Sequence, residues 1–470
     1  MKILALYRQI KSSIQIFVLI VSVLLLNSCH HKEGIVVDES LLSKYNAIAN
    51  PTSNAKVTEE IDCYLDYSNG MPQKITGISN FTAMLTNLFL GKPVKYYEVG
   101  SSDTLKELDK GAVDFRNTSN YIDMVSKLDV ALNRMSGNIN RSSIFITDFE
   151  KIEGSTISNP LAPTSFLKLV DDKAWAQKNF KDWIMAGNQI DIFGTKFSKG
   201  GIDNLIYSIV FTPNAIIKNE GTYKKSVLKF LIDNAGNPVH FTYTANNFLI
   251  EQEKKDDAIG DANDNLIVQE NITTTKDKGF EFYYFKSADL VSFNSDESQK
   301  DKRIINKVKI SSQLSACFGD VQFGLKAYDI TQGLTDFNLS QNQEAPEVKT
   351  DVETGSKDTV ANKPIKFSYQ KGTPVEDIFD FVYNTDTKEI GIKLKPDFTG
   401  VTQNMVYQID IIVKSAKLKD FSDEKNTFKL NYPNKFSISP LSNSIEFAMK
   451  DVSTSIENKA VYTIYLKIDK

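Results

Sequence analysis

The chain has very little histidine: three residues in 470, two of which, His30 and His31, are neighbours near the N-terminus. His240 is the only other one. Catalytic zinc sites take several His or Cys ligands, so this scarcity argues against a zinc hydrolase. It also weakens any proposal of a Ser-His-Asp triad, because His240 would have to be the base. His240 lies in a strand-like run, Val239 to Thr244, and we interpret it as a structural residue.

Cysteine is equally scarce, with only Cys29, Cys63 and Cys317. Cys63 and Cys317 fall in different predicted domains, so we expect no disulfide framework, although one bridge between them is compatible with the sequence. An excess of basic charge is also missing, since 55 Lys and Arg residues face 59 Asp and Glu residues. The formal net charge of −4 gives no basic field, and we expect no nucleic-acid partner.

What the sequence does have is an apolar segment near its N-terminus. Positive charges at Lys2, Arg8 and Lys11 precede the run from Ile16 to Leu26. A helix of this length spans about 16 Å, far less than the ~30 Å hydrocarbon core of a bilayer. The run is therefore too short for a stable transmembrane helix, and it fits the core of a signal peptide.

The next residues, Leu26-Asn27-Ser28-Cys29, resemble a lipobox, in which an aliphatic residue and two small or polar residues precede the cysteine that becomes lipidated. The resemblance implies a lipoprotein signal peptide over residues 1–28 and a membrane anchor at Cys29. Several acyl chains on one residue anchor a protein durably, whereas a single chain does not. The alternative is an ordinary secretory signal followed by an unrelated cysteine.

Residues 29–56 are polar and contain few aromatic side chains, which predicts a flexible tether between the anchor and the folded body. The first of them, Cys29-His30-His31-Lys32-Glu33, are similar to the export signal of surface lipoproteins in the Bacteroidetes, although a second acidic residue is missing. We therefore expect a lipid-anchored protein of the cell envelope at the outer membrane, on its periplasmic or its surface face.

Strand-like and helix-like segments alternate between residues 57 and 248. Ile61 to Leu65 reads as a strand that ends at Asp66, and Ser143 to Thr147 as a strand that ends at Asp148. The predicted helices cover residues 78–90, from 119 or 126 to about 135, 173–186 and 223–232. This alternation predicts an α/β domain with a doubly wound, mainly parallel sheet and helices on both faces. Functional sites in such sheets form at the carboxyl ends of the strands.

Three loops are expected to meet at that edge of the sheet. The first carries Asp66 and Ser68, the second carries Ser126 just before a helix-like segment, and the third carries Asp148. Two carboxylates and two hydroxyls are oxygen ligands of the kind that suits a hard divalent cation, Mg²⁺ or Mn²⁺.

At these residues the chain resembles a von Willebrand factor A (vWA) domain. The metal-ion-dependent adhesion site of that family uses Asp-x-Ser-x-Ser after the first strand, a Thr in a second loop and an Asp after the fourth strand. Asp66 and Ser68 match the first two ligands, Ser126 stands in the place of the Thr, and Asp148 matches the last Asp. The resemblance implies a binding module rather than an enzyme, with a protein partner whose acidic side chain completes the metal site.

The chain departs from the family pattern at three positions. Gly70 replaces the second Ser and removes one oxygen ligand, and Ser126 replaces the Thr but keeps its hydroxyl. Phe149 stands where the family usually has Gly after the last Asp, so the turn there must be built differently. A Ser or Thr at 118–119 is an alternative source of the second-loop hydroxyl.

The remainder of the chain has a different character. Residues 249–278 are polar and acidic and predict a linker or a long loop. Over residues 279–470, strand-like segments, among them 444–449, are frequent and helical periodicity is scarce. This predicts an all-β region of one or two immunoglobulin-like sandwiches.

Two other functions compete with a metal-dependent binding module. A phosphatase of the haloacid dehalogenase type would use Asp66, Thr147 and the loop Gly260 to Asp264, but Ser68 stands where that family has a second Asp. A structural scaffold or adhesin without metal would use the same fold with Asp66 and Asp148 holding no cation. We expect a binding or assembly module anchored to the envelope.

Overall fold

The computed structural model describes residues 37–49, 57–76, 87–108, 118–123, 125–150, 152–153, 168–169, 174–199, 202–234, 239–245, 248–252, 270–275, 280–286, 305–312, 317–341, 348–350, 357–359, 367–395, 404–431 and 437–469. The predicted signal peptide, Cys29 and the residues 260–264 lie outside these residues. So does most of the predicted helix 78–90.

Helices and strands are numbered along the chain within these ranges. The helices are α1 (Glu39–Ala49), α2 (Met71–Thr76), α3 (Leu128–Gly137), α4 (Gln177–Met185), α5 (Asn214–Lys218), α6 (Glu220–Lys224), α7 (Val227–Asn234), α8 (Thr331–Gln341), α9 (Ser422–Thr427) and α10 (Pro440–Ile456). The strands are β1 (Ile61–Asp66), β2 (Val94–Val99), β3 (Lys106–Glu107), β4 (Ser142–Thr147), β5 (Ile152–Glu153), β6 (Lys168–Leu169), β7 (Gln189–Lys199), β8 (Ile202–Thr212), β9 (Val239–Thr244), β10 (Phe248–Gln252), β11 (Glu270–Thr275), β12 (Phe280–Lys286), β13 (Ile305–Ser312), β14 (Phe318–Asp329), β15 (Val348–Thr350), β16 (Lys357–Thr359), β17 (Thr373–Pro374), β18 (Phe379–Tyr383), β19 (Glu389–Leu394), β20 (Met405–Leu418), β21 (Leu430–Asn431), β22 (Ser437–Ile438) and β23 (Ala460–Asp469).

Three parallel strands form the centre of a seven-stranded sheet. β1 pairs in parallel with β2 on one side and with β4 on the other, and every residue of β1 and β4 is buried. Such strands are apolar on both faces because helices cover both sides. Here α3 and α4 pack on one face through Leu132 and Phe180, and α7 packs on the other through Leu228. The prediction of an α/β domain with a covered sheet agrees with this arrangement.

The other half of the sheet is antiparallel. The strand order is β3-β2-β1-β4-β8-β7-β9, and β8, β7 and β9 all pair antiparallel with their neighbours. Strand β3 also pairs antiparallel with β2, so only two of the six pairings in this sheet are parallel, and the prediction of a mainly parallel sheet is wrong. Only two residues separate Lys199 from Ile202, whereas a parallel connection needs a crossover of a dozen residues or more, so β7 and β8 must form a hairpin.

The C-terminal region is rich in strands but is not all-β. It contains a six-stranded sheet, β11-β12-β23-β20-β14-β17, and a four-stranded sheet, β10-β13-β19-β18. The helices α8, α9 and α10 contradict the all-β prediction, and the parallel pairing of β12 with β23 departs from the antiparallel sheets of an immunoglobulin sandwich. The predicted strand 444–449 lies inside α10, which buries Leu441, Ile445, Ala448 and Val452 at helical spacing. Strands β10 and β11 also occupy parts of the predicted linker 249–278.

Helix α1 lies within the predicted tether of residues 29–56. Its side chains Leu42 and Tyr45 are fully buried against the six-stranded sheet and α8. The Tyr465 hydroxyl donates a hydrogen bond to Asn46 Oδ1 at 3.0 Å. The tether prediction therefore does not hold for residues 39–49, because their apolar side chains complete the core of the C-terminal region.

The α/β domain and the C-terminal region share a continuous core. Helix α4 packs on α10, where the Gln177 side chain donates to Asp451 Oδ2 at 2.8 Å. The rings of Phe241 and Phe428 meet edge to face at 5.1 Å. Cys63 and Cys317 are buried free thiols, in agreement with the expectation of no disulfide framework. Among the described residues, no helix is long and apolar enough to span a membrane.

Candidate functional site

Asp66 stands at the carboxyl end of β1 and is almost completely buried, with 1% of its surface exposed. The hydroxyl of Ser126 donates to Asp66 Oδ1 at 2.6 Å, and the hydroxyl of Thr147 donates to Oδ2 at 2.8 Å. The backbone N–H of Ser68 donates to Oδ1 at 3.0 Å. Both carboxyl oxygens are thus held by the three loops that the sequence predicted to meet.

The pKa of Asp66 is raised from its ordinary value of 3.8 to about 6. Burial is the main cause, because it disfavours the charged carboxylate, and the nearby charge of Asp148 adds to the shift. The hydrogen bonds from Ser126, Ser68 and Thr147 act in the opposite direction and lower the pKa. The loops therefore hold a buried carboxyl group whose charge is only partly compensated.

Asp148, the next residue after β4, forms an ion pair with Lys74 of α2. The same ammonium group contacts Glu150 Oε1 at 3.0 Å. The Lys74 side chain is 12% exposed, and burial alone would lower its pKa. The charges of Asp148 and Glu150 outweigh burial and raise the pKa of Lys74 above its ordinary value, so this group stays positively charged.

Phe149 gives the turn after β4 an unusual backbone. Its φ angle is +60°, in the left-handed region that glycine adopts without strain and other residues rarely enter. The ring is fully buried and stacks on Trp175 at 4.7 Å between ring centroids. The Phe149 N–H also donates to the Thr147 hydroxyl at 2.9 Å. The turn therefore keeps a glycine-like conformation and is held in it by aromatic packing.

The loop at residues 118–123 lies beside the first loop. The N–H of Asn69 donates to the carbonyl of Asp123 at 2.8 Å, and the Asp123 carboxylate accepts two hydrogen bonds from Ser101. A Cβ atom on Gly100 would lie 2.1 Å from this carboxylate, so the close approach requires glycine. Next to Asp123, the side chain of Ile122 is 80% exposed. The loop at residues 118–123 thus presents an apolar side chain next to the first loop.

The structure brings together most of the predicted metal ligands. Asp66, Ser126 and Asp148 converge, whereas Ser68 contributes a backbone N–H to the cluster. Ser126 lies just before α3, whose N-cap position is Lys127 and has no side-chain capping hydrogen bond. The Ser126 hydroxyl is bonded to Asp66 instead.

Sequence reasoning missed Lys74 and Glu150. The available signal was a lysine four residues after Gly70, one helical turn into the segment that follows the first loop. An ideal Cβ on Gly70 would lie 3.8 Å from Lys74 Nζ, so the ammonium group occupies the space next to the missing serine.

His240 lies in β9, in agreement with the strand predicted for this run. Its Nε2 lies 2.9 Å from Asp191 Oδ1, and its ring stacks on Phe193 at 4.2 Å. Thr242 donates its hydroxyl to the same carboxylate oxygen at 2.6 Å. The Thr242 hydroxyl also lies 3.3 Å from His240 Nε2, so His240, Thr242 and Asp191 form one polar group on β7 and β9.

No protein-family model, curated protein or solved structure matches the chain. Within the described ranges, no group of three or more His, Cys, Asp and Glu side chains is placed to hold a metal ion.

Proposed function

We propose that the protein is a lipid-anchored binding or assembly module of the cell envelope. In its vWA-like α/β domain, the ammonium group of Lys74 takes the place of the metal ion. The lipobox at Cys29 supports the anchor. The carboxyl edge of β1 and β4, with the exposed Ile122 beside it, is the contact surface in this proposal.

The central strands support a vWA-like arrangement. Asp66 and Asp148 follow adjacent parallel strands, and Ser126 precedes the helix that packs on them, as the resemblance implies. Phe149 stands where the family usually has Gly and adopts the left-handed backbone that Gly favours. The antiparallel hairpin of β7 and β8 is a departure from the doubly wound pattern that the sequence predicted.

The observation that carries the proposal is the position of Lys74. In the family that the chain resembles, the last Asp helps to hold a divalent cation. In this chain Asp148 is paired with the Lys74 ammonium group, which Glu150 also contacts. A divalent ion does not fit this donor set while the lysine is in place, because Asp148 is neutralised and Gly70 supplies no oxygen. A site that binds Mg²⁺ or Mn²⁺, as the sequence predicted, is therefore the alternative to a site occupied by Lys74.

Recognition is favoured over turnover by the state of Asp66. Its two oxygens accept hydrogen bonds from hydroxyl groups, and its burial keeps it away from solvent. A phosphatase of the haloacid dehalogenase type would need this carboxylate free to attack a substrate, so the geometry disfavours that alternative.

The contact surface can be tested with two matched variants. Ile122 lies at the carboxyl edge and is 80% exposed, while Leu90, 76% exposed, precedes β2 at the opposite edge of the sheet. We expect cross-linked complexes in intact envelopes to be lost in Ile122→Asp and kept in Leu90→Asp. We also expect them to survive a chelator.

Three results would count against the proposal. Complexes that are unaffected by Ile122→Asp would exclude this edge as the contact surface. Dissociation by chelator alone would favour the metal-dependent form. A mature chain whose Cys29 carries no acyl groups would contradict the anchor.

A further inference from the structure

We infer that the face of the C-terminal region formed by α1 and α8 lies against the bilayer, so that the α/β domain points away from it. The inference rests on the proposed lipid anchor at Cys29 and assigns a lipid surface as the partner of this face.

The six-stranded sheet separates two groups of helices. Leu42 of α1 and Phe337 of α8 pack in one cluster with Phe282, Val406 and Tyr465 of the sheet. The next residues along two of these strands, Tyr407 and Leu466, belong to a different cluster, which includes Leu441 and Ile445 of α10. Because neighbouring side chains of a strand point to opposite faces, α1 and α8 cover one face and α10 covers the other.

The α/β domain is attached to the α10 side. Helix α4 packs on α10, and the N–H of Ala176 donates to the Ser444 hydroxyl at 3.3 Å. Packed layers lie about 10 Å apart, so α4 lies roughly 30 Å from α1, across the sheet and α10.

The chain enters the folded body on the α1 side. Val37 is buried in the α1 cluster and stands eight residues after Cys29. Eight residues span at most about 29 Å in any conformation. An acylated Cys29 therefore keeps Val37, at the start of the α1 side, within about 29 Å of the membrane, whereas a tether extending to residue 56 would allow a much greater distance.

The outer surface of this layer suits a lipid interface. Leu339 of α8 is 59% exposed and lies about 200° around the helix from the buried Phe337, so it faces away from the sheet. Ile48, near the end of α1, is 43% exposed. Apolar side chains at an interface bind more strongly when an acyl chain already holds the protein there.

The test uses tryptophan as a reporter in the mature chain, reconstituted in phosphatidylethanolamine–phosphatidylglycerol vesicles with brominated acyl chains. Leu339→Trp probes the α8 surface, and Ile122→Trp probes the α/β domain. We expect the added emission of Leu339→Trp to fall at least twofold and that of Ile122→Trp to stay unchanged. The two native tryptophans, the partly buried Trp175 and the buried Trp183, give the background, which is measured in the unsubstituted chain.

A second arm separates this inference from the proposed anchor. The chain beginning at Cys29 is coupled through that thiol to a maleimide lipid, since Cys63 and Cys317 are buried. Equal quenching at both reporters, or stronger quenching at residue 122, in this arm would overturn the orientation. Pairing of two copies through α8 would leave Leu339→Trp unquenched and would also overturn it. If the orientation is found here while cells produce a Cys29 without acyl groups, only the proposed anchor fails.

Discussion

The ammonium group of Lys74 contacts the carboxylate of Asp148, which lies 74 residues further along the chain. The contact joins α2 to the turn after β4 and supplies a positive charge beside two carboxylates, Asp148 and Glu150. Removing one partner of a largely buried pair leaves an uncompensated charge, which is costly. The pair therefore fixes both the shape and the charge of the candidate site.

The raised pKa of Asp66 predicts a pH-dependent stability. Since the folded-state pKa of about 6 exceeds the ordinary 3.8, the folded protein binds this proton more tightly than the unfolded chain does. The favourable contribution of Asp66 is complete below about pH 4 and is lost as the pH rises through 6. We expect Asp66→Asn, which removes the charge, to be more stable than the natural chain at pH 8 by up to about 3 kcal/mol.

Urea denaturation of both chains between pH 4 and 8 measures this difference. The advantage of the Asn variant should shrink toward pH 4, where the natural carboxyl group is protonated. An advantage that is constant across this range would show that the charge of Asp66 is not its cause.

The left-handed backbone of Phe149 predicts that its Gly variant is more stable than its Ala variant, the reverse of the usual order. Both Phe149→Ala and Phe149→Gly remove the stacking on Trp175 and should destabilise the protein by about 3 kcal/mol or more. At an ordinary position Ala is more stable than Gly, but at φ +60° the Gly variant should be the more stable by about 1 kcal/mol. Denaturant midpoints of the two variants decide this, and an Ala variant more stable than Gly would contradict the turn geometry.

Lys419 and Glu424 form an ion pair at 2.8 Å, with no part of the Glu424 side chain exposed. Lys419→Met keeps the long side chain near the rings of Phe241 and Phe421 but removes the positive charge beside the buried carboxylate. We expect a loss of about 3–5 kcal/mol in the free energy of unfolding. The double variant with Glu424→Gln should regain most of it, as a double-mutant cycle would show. Simple additivity of the two losses would mean that the pair is not coupled.

The sequence predicts the centre of the site because local patterns determine it. The buried runs before Asp66 and Asp148 indicate strands, and parallel strands bring their carboxyl ends to one edge. The hairpin of β7 and β8 was also predictable, since the sequence has only Gly200 and Gly201 between the two strands and a glycine pair is typical of a hairpin connection.

Other features need either a longer window of sequence or contacts between residues far apart in the chain. A short window around 444–449 looks strand-like, and the helix becomes visible only when Pro440 at the start of α10 and the spacing of the buried residues are read together. Lys74 reaches Asp148 through its long side chain and the packing of α2, so nothing in the sequence near Asp148 predicts this ion pair. The burial of α1 could not be predicted from its own sequence either, because the residues that it packs on lie far along the chain.

The central claim is that Lys74 occupies the cation site, and Mn²⁺ titration calorimetry on the metal-stripped full chain in detergent tests it most directly. We expect no saturable binding to the natural chain, binding to Lys74→Ala, and loss of that binding in Lys74→Ala with Asp148→Ala. Lys127→Ala, which removes the exposed ion pair with Asp103, should behave like the natural chain. Binding to the natural chain as tight as to Lys74→Ala would contradict the claim, and so would a folded Lys74→Ala variant that binds no Mn²⁺.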